Sequence, residues 1–133
     1  MPHRKLARRV GRRGACLLLF GLIMLVYGYA FAIVPLSPAA RAALAVPLQI
    51  ASQTTWGAAW MAAGGLAIAA SPLRPGRDGI GFVPLIGMSA LWSLSYFAAQ
   101  ALGVPRAALG GLIWAAMVTL LLVIAGWPEV DRR

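Results

Sequence analysis

Four stretches of this chain contain no Asp, Glu, Lys, Arg or His: residues 14–34, 54–71, 79–102 and 107–127. Each has about the length of a helix that crosses the hydrocarbon core of a bilayer, roughly 17–25 residues. The sequence therefore predicts an all-α membrane protein with four transmembrane helices over residues 14–127. A basic tail, residues 1–13, precedes this domain, and a short tail, residues 128–133, follows it.

The composition agrees with a membrane location, because 61% of the residues are hydrophobic and 11% are charged, with a mean hydropathy of +0.80. A soluble domain of 133 residues could not hide so much apolar surface from water. Cys16 is the only cysteine in the sequence, so neither an intrachain disulfide nor a cysteine-based metal site is expected.

Positive charge is concentrated before the first predicted helix. The net charge is +9, and the tail carries six basic residues, Arg4, Lys5, Arg8, Arg9, Arg12 and Arg13. A basic cluster beside a membrane span attracts anionic lipid headgroups, at about 1 kcal/mol per residue. We therefore expect these residues to contact anionic lipid of the bilayer. Nucleic-acid binding is not expected, since no aromatic-interleaved basic surface or nucleic-acid-binding motif accompanies them.

Basic residues in short loops also predict the orientation of the chain. Of the 12 basic residues, only Arg41 and Arg106 fall in the loops that four spans would place opposite the N-terminal tail. Cytoplasmic loops are enriched in Lys and Arg. The sequence therefore predicts a multi-pass protein of the cytoplasmic (inner) membrane with both termini in the cytoplasm.

The first 32 residues also resemble a secretory signal, because a basic start and an apolar run lead to Ala30-Phe31-Ala32. The apolar run continues from Ala15 to Val34, beyond the ~7–15 residues of a signal sequence, which favours an uncleaved first helix. Between the first two spans, Ser37-Pro38 is typical of a helix start. A short interfacial helix is predicted over residues 39–44.

The second predicted helix carries small residues at spacings of four, three and four positions: Ala58, Ala62, Gly65 and Ala69. This spacing lines them up on one face, where small side chains allow another helix to approach closely. The sequence therefore predicts a helix-packing face. Its partner is either another helix of the same chain, which we favour, or a neighbouring copy.

The third predicted helix carries a polar stripe at a similar spacing, formed by Ser89, Ser93, Tyr96 and Gln100. Polar groups in hydrocarbon need partners, and bonds between helices supply them at ~0.6 kcal/mol each. We interpret the stripe as an interhelical contact. The alternative is that it lines a wet pore or pocket.

Aromatic residues are frequent in the predicted spans. Trp56 and Trp60 lie one helical turn apart, as do Trp92 and Tyr96, and Trp114 lies within the fourth span. Packing and interface anchoring account for them, with stacking on a lipid or quinone ring as the alternative. No carboxylate pair, metal-ligand set or nucleophile with a base can be assembled at membrane depth, because every acid and the single His lie outside the predicted spans. We expect no enzymatic activity, metal or cofactor.

Three segments carry a resemblance to known proteins: Arg12-Arg13-Gly14 before the first span, Trp56-Gly57-Ala58-Ala59-Trp60 in the second, and Ala125-Gly126-Trp127-Pro128-Glu129 at the end of the fourth. In this layout the chain resembles the small four-span, holin-like membrane proteins of actinobacteria and their phages. The resemblance implies a four-span fold and brings no catalytic residues. Small multidrug exporters share the plan, but the Glu of their first helix has no counterpart in residues 14–34.

Together these features favour a phage or prophage holin-like protein, which self-associates through small-residue faces and permeabilises the membrane. An accessory or structural subunit that packs against a larger membrane complex is a second hypothesis. A binding protein for a lipid or an apolar small molecule is a third. The partners expected are therefore the bilayer, further copies of the chain, or a membrane complex.

Overall fold

A computed structural model describes residues 11–128 of the protein, and this part of the chain is built from helices and loops without strands. The helices are α1 Arg12–Ile33, α2 Pro38–Ala43, α3 Ala45–Ile50, α4 Gln53–Ala70, α5 Gly79–Ala101 and α6 Ala107–Ala125. The all-α prediction is confirmed. The lipid contacts predicted for Arg4, Lys5, Arg8 and Arg9, and the tail beyond residue 128, lie outside the described residues.

Within this range three helices, α1, α5 and α6, are long and apolar enough to cross a membrane. Helix α4 occupies the second predicted span, but it begins with the polar Gln53, Thr54 and Thr55 and continues with many Ala and Gly residues. Its composition is therefore less apolar than that of the other three. Its 18 residues nevertheless extend about 27 Å at ~1.5 Å per residue, close to the ~30 Å of a bilayer core.

The loop after α1 contains the short helix that the sequence predicts. Ser37 is the N-cap of α2, where its Oγ accepts a hydrogen bond of 3.2 Å from the Ala40 N–H, and Pro38 occupies the first turn. A second short helix, α3, follows without having been predicted. The interfacial position of α2 stays a prediction.

Helix α1 packs along α4, and α5 packs along α6. Contacts between α4 and α5 join these two pairs. Large side chains from all four long helices fill the centre. The most deeply buried include Leu17, Trp60, Leu85, Trp92 and Leu121, each with 0% exposure. A continuous apolar core therefore runs through the described part of the chain.

The α1–α4 contact is made by backbone rather than by side chains at two places. A Cβ added to Gly28 would lie 2.6 Å from the Gly57 carbonyl oxygen, and one added to Gly57 would lie 2.6 Å from the Gly28 oxygen. Gly21 and Gly64 are related in the same way, at 2.7 and 2.6 Å. Only glycine allows helices to approach so closely. Because earlier residues of α1 meet later residues of α4, the two helices are antiparallel.

Helix α1 runs through the Ala30-Phe31-Ala32 sequence that resembles a cleavage motif. Phe31 is buried in the core, and the Gln53 Nε2 at the start of α4 donates hydrogen bonds to the carbonyl oxygens of Phe31 (2.6 Å) and Val34 (2.7 Å). The end of α1 is thus fixed to α4 through carbonyl groups that have no partner within the helix. Residues up to 32 thus supply one side of this core, and retention of the first helix stays a prediction.

Candidate functional site

The predicted small-residue face of α4 points away from the rest of the chain. Ala58, Ala62 and Ala69 are exposed, and a Cβ added to Gly65 would have no neighbouring atom within 4 Å. The favoured prediction that this face packs within the chain is therefore wrong. Intrachain packing uses Gly57 and Gly64 instead, each one position earlier than Ala58 and Gly65 and so about 100° away around the helix.

The polar stripe of α5 is largely used to hold α6. The Ser93 hydroxyl donates a hydrogen bond of 2.9 Å to the Gly111 carbonyl, and the Gln100 Oε1 accepts one of 3.1 Å from the Ala108 N–H. The Tyr96 ring fills the space over Gly110, where an added Cβ would lie 2.6 Å from ring atoms. These contacts correspond to the interhelical interpretation of the stripe rather than to a pore lining.

Ser89, the first member of the stripe, differs from the others. It has 0% exposure, and its Oγ is one of the buried side-chain atoms in the described range for which no hydrogen-bond partner is found. The Trp60 Nε1 is a second such atom. Buried polar atoms of this kind cost free energy, so the interior contains two polar groups whose role the packing does not explain.

Six rings from four helices form an aromatic cluster at the centre of the protein: Tyr27, Phe31, Trp56, Trp60, Trp92 and Trp114. Trp60 and Trp92 meet edge to face with centroids 5.4 Å apart. The Trp92 Nε1 donates to the Tyr27 hydroxyl at 3.1 Å, and the Trp56 Nε1 donates to the Pro47 carbonyl at 2.8 Å.

This aromatic cluster bears on the predicted alternatives for the tryptophans. Edge-to-face pairs are the favoured geometry for packed rings, and both Trp60 and Trp92 are fully buried among the other rings. Their faces are therefore covered by protein, which agrees with aromatic packing and leaves no face of these two rings for a lipid or quinone. The sequence placed Trp56 one turn from Trp60 and Trp92 one turn from Tyr96. The ring contacts of these tryptophans are instead made between helices, and the meeting of α1, α4, α5 and α6 required the structure.

An ion pair closes one end of the bundle. The Arg13 Nε lies 2.9 Å from the Asp78 Oδ2 and the Arg13 Nη2 lies 3.0 Å from the Oδ1, so the contact is bidentate. The Gly76 N–H also donates to this carboxylate at 3.1 Å, and the Arg13 guanidinium lies 5.5 Å from the centre of the Phe82 ring. A longer contact of 3.5 Å joins the Arg13 Nη1 to the Trp127 carbonyl oxygen.

Arg13 thus departs from its predicted role as a lipid contact, because its guanidinium is engaged with Asp78 and Phe82 inside the protein. Arg12 is exposed and keeps that predicted role. The ion pair was not predicted, since its residues are 65 positions apart in the chain. One signal in the sequence could have indicated the ion pair. Asp78 is the single acid of the 72–78 loop, and the positive-inside rule places this loop on the same side as the basic tail.

Within residues 11–128, no three His, Cys, Asp or Glu side chains come together in a way that would hold a metal ion. The Cys16 thiol is free and half-buried. The features that distinguish this part of the chain are the aromatic cluster, the ion pair and the open face of α4.

No protein family matches the sequence, and neither a curated protein nor a solved structure is similar to it.

Proposed function

We propose that the protein crosses the cytoplasmic membrane four times, with both termini in the cytoplasm. The contacts of Arg13 with Asp78 and Trp127 bring the start of α1, the start of α5 and the end of α6 to one end of the bundle. If α1 and α5 both span from that end, the chain must return between them. Helix α4 is antiparallel to α1 and about as long as the bilayer core, so it supplies the return crossing.

Reporter fusions test this topology. Because ten basic residues would lie on the cytoplasmic side, a fluorescent reporter at the C-terminus or in the 72–78 loop is expected to be active. Alkaline phosphatase is active only outside the cytoplasm, so a phosphatase reporter inserted in residues 35–53 is also expected to be active. An external C-terminus would contradict the four-span arrangement.

We further propose that the protein acts by helix association in the membrane and not by catalysis, with self-association in the manner of a holin as its function. The observation that supports this proposal is the open face of α4. This helix has two faces of small residues, and α1 covers only the one formed by Gly57 and Gly64. The second face, around Gly65, is free to accept the same face of a neighbouring copy.

A second candidate is an accessory subunit of a larger membrane complex. Ser93 and Gln100 are bonded to α6 and Ser89 is buried, so the polar stripe is not available to line a lesion. Association without permeation fits this arrangement. The outer side of α6 also presents exposed apolar residues such as Leu112 and Ile113, which suit contact with lipid or with another span.

A comparison of Gly65→Leu with Gly87→Leu tests whether the protein acts as a holin or as an accessory subunit. A Cβ added to either glycine meets no atom within 4 Å, so we expect each substitution to leave the fold of one copy intact. For a holin-like protein, Gly65→Leu is expected to abolish energy transfer between fluorescently tagged copies and the depolarisation caused by overexpression, whereas Gly87→Leu retains both.

The unmodified protein is the reference, at equal expression in the membrane. If it self-associates without depolarising cells or releasing a co-expressed endolysin, the holin-like function is wrong and the subunit takes its place. If Gly65→Leu associates as well as Gly87→Leu does, the open face of α4 is not the contact surface.

A further inference from the structure

An open groove of about 820 Å³ lies on the outside of the protein where α4 ends and α5 begins. Its walls are mostly apolar, and it is lined by Leu66, Leu73, Ile80, Val83 and Pro84, with Arg77 at its loop end. The groove is shallow and open to the outside, so it offers a surface against which part of an elongated apolar molecule can lie.

The apolar side chains of the groove are not covered by any other part of the described chain. Ile80 is 60% exposed and Val83 is 69% exposed, although both belong to a helix that is apolar enough to span a membrane. A membrane-embedded surface of this kind is solvated by acyl chains. Residues of both α4 and α5 line the groove, so it lies at the junction of two helices rather than on the side of one.

The loop end of the groove is positively charged and its charge is not cancelled locally. Arg74 and Arg77 are exposed, whereas Asp78, the loop's single acid, is 2% exposed and turned inward. Its carboxylate is occupied by Arg13 and by the Gly76 N–H. The amino terminus of the 23-residue helix α5 begins at Gly79 in the groove wall and adds the positive end of its dipole.

We propose that this groove binds one anionic phospholipid of the cytoplasmic leaflet. An acyl chain lies along Leu66, Ile80 and Val83, and the phosphate is held by Arg77 beside the start of α5. The internal pairing of Asp78 with Arg13 is what leaves Arg77 available for the lipid. This site rests on the proposed membrane insertion.

Photolabelling in nanodiscs tests the site on the full-length protein. The bilayer is phosphatidylcholine with a small fraction of phosphatidylglycerol that carries a diazirine in its acyl chain, and adducts are counted by peptide mass spectrometry over residues 66–84. Excess unlabelled phosphatidylglycerol is expected to suppress these adducts, whereas excess phosphatidylcholine with the same chains does not. Counting adducts in this segment separates the groove from the basic tail, which also attracts anionic lipid.

Two variants identify the parts of the site. Arg77→Gln is expected to lower labelling of the groove about fivefold, the effect of one cation near an anionic headgroup, and Val83→Trp is expected to block it by filling the groove. The matched controls are Arg41→Gln and Val123→Trp, which change exposed residues elsewhere and should label as the unmodified protein does.

Three results would overturn the proposal. Labelling that phosphatidylcholine suppresses equally well would mean ordinary lipid contact without headgroup recognition. Unchanged labelling of Arg77→Gln would remove the phosphate contact. Adducts that are present with one protein copy per nanodisc and lost with two copies per nanodisc would give the groove to a second chain. A chain that fails to enter the nanodisc would instead refute the membrane insertion on which the site rests.

Discussion

Replacing Gly28 with valine is expected to separate α1 from α4 and to cause a large loss of stability. An added Cβ would already lie 2.6 Å from the Gly57 carbonyl oxygen and 2.8 Å from the Met61 nitrogen, and valine adds two further methyl groups. Overpacking usually costs about 1–3 kcal/mol. Because the obstructing atoms are backbone, which cannot change rotamer, we expect the upper end of that range or more.

Circular dichroism during a denaturing-detergent titration measures this effect in mixed micelles. Gly87→Val is the control, because a Cβ at position 87 meets no atom within 4 Å and the residue also lies within a long helix. We expect the control to unfold at nearly the same detergent fraction as the unmodified protein. Equal unfolding of the Gly28 and Gly87 variants would show that the backbone contact between α1 and α4 is not present.

The second large effect is expected from Asp78→Asn. The substitution preserves the shape of the side chain and an acceptor for the Gly76 N–H, but it removes the counter-ion of Arg13, whose side chain is 14% exposed. Breaking a buried ion pair by neutralising one partner costs about 3–5 kcal/mol, because the other charge remains without compensation. We expect a loss near the lower end of that range, measured in the same titration.

A double variant distinguishes the lost ion pair from general damage to the loop. Arg13→Gln with Asp78→Asn leaves no unpaired charge, so its cost is expected to fall below the sum of the two single costs by about 1 kcal/mol or more. Arg74→Gln is the surface control, since this side chain is exposed in the same loop and its loss should change stability by no more than about 0.5 kcal/mol. Strict additivity would contradict the pairing of Arg13 with Asp78.

Helix type and approximate helix bounds followed from the sequence because a charge-free run of spanning length restricts the backbone strongly. Predicted span 79–102 differs from α5 by one residue at its end, and predicted span 107–127 by two from α6. Local chemistry was also sufficient at Ser37, where the N-cap and the following proline start α2. Such signals depend on neighbours in the chain and not on distant contacts.

The packing face of α4 could not be chosen in the same way. Almost every side of this helix carries Ala or Gly, so small size alone does not distinguish the Gly57 face from the Gly65 face. The deciding information was a match between two helices: Gly21 and Gly28 are seven positions apart, as are Gly57 and Gly64. Equal spacing on antiparallel helices brings both pairs into contact at once, a relation that no single helix displays.

The long helices form two consecutive hairpins, and the way each one is closed has a consequence for biosynthesis. The glycine contacts of the first hairpin involve only α1 and α4, and the Ser93 bond of the second involves only α5 and α6. Each hairpin can therefore close as soon as its second helix has left the ribosome. Asp78 lies between α4 and α5, so its ion pair with Arg13 can form before α6 has left the ribosome.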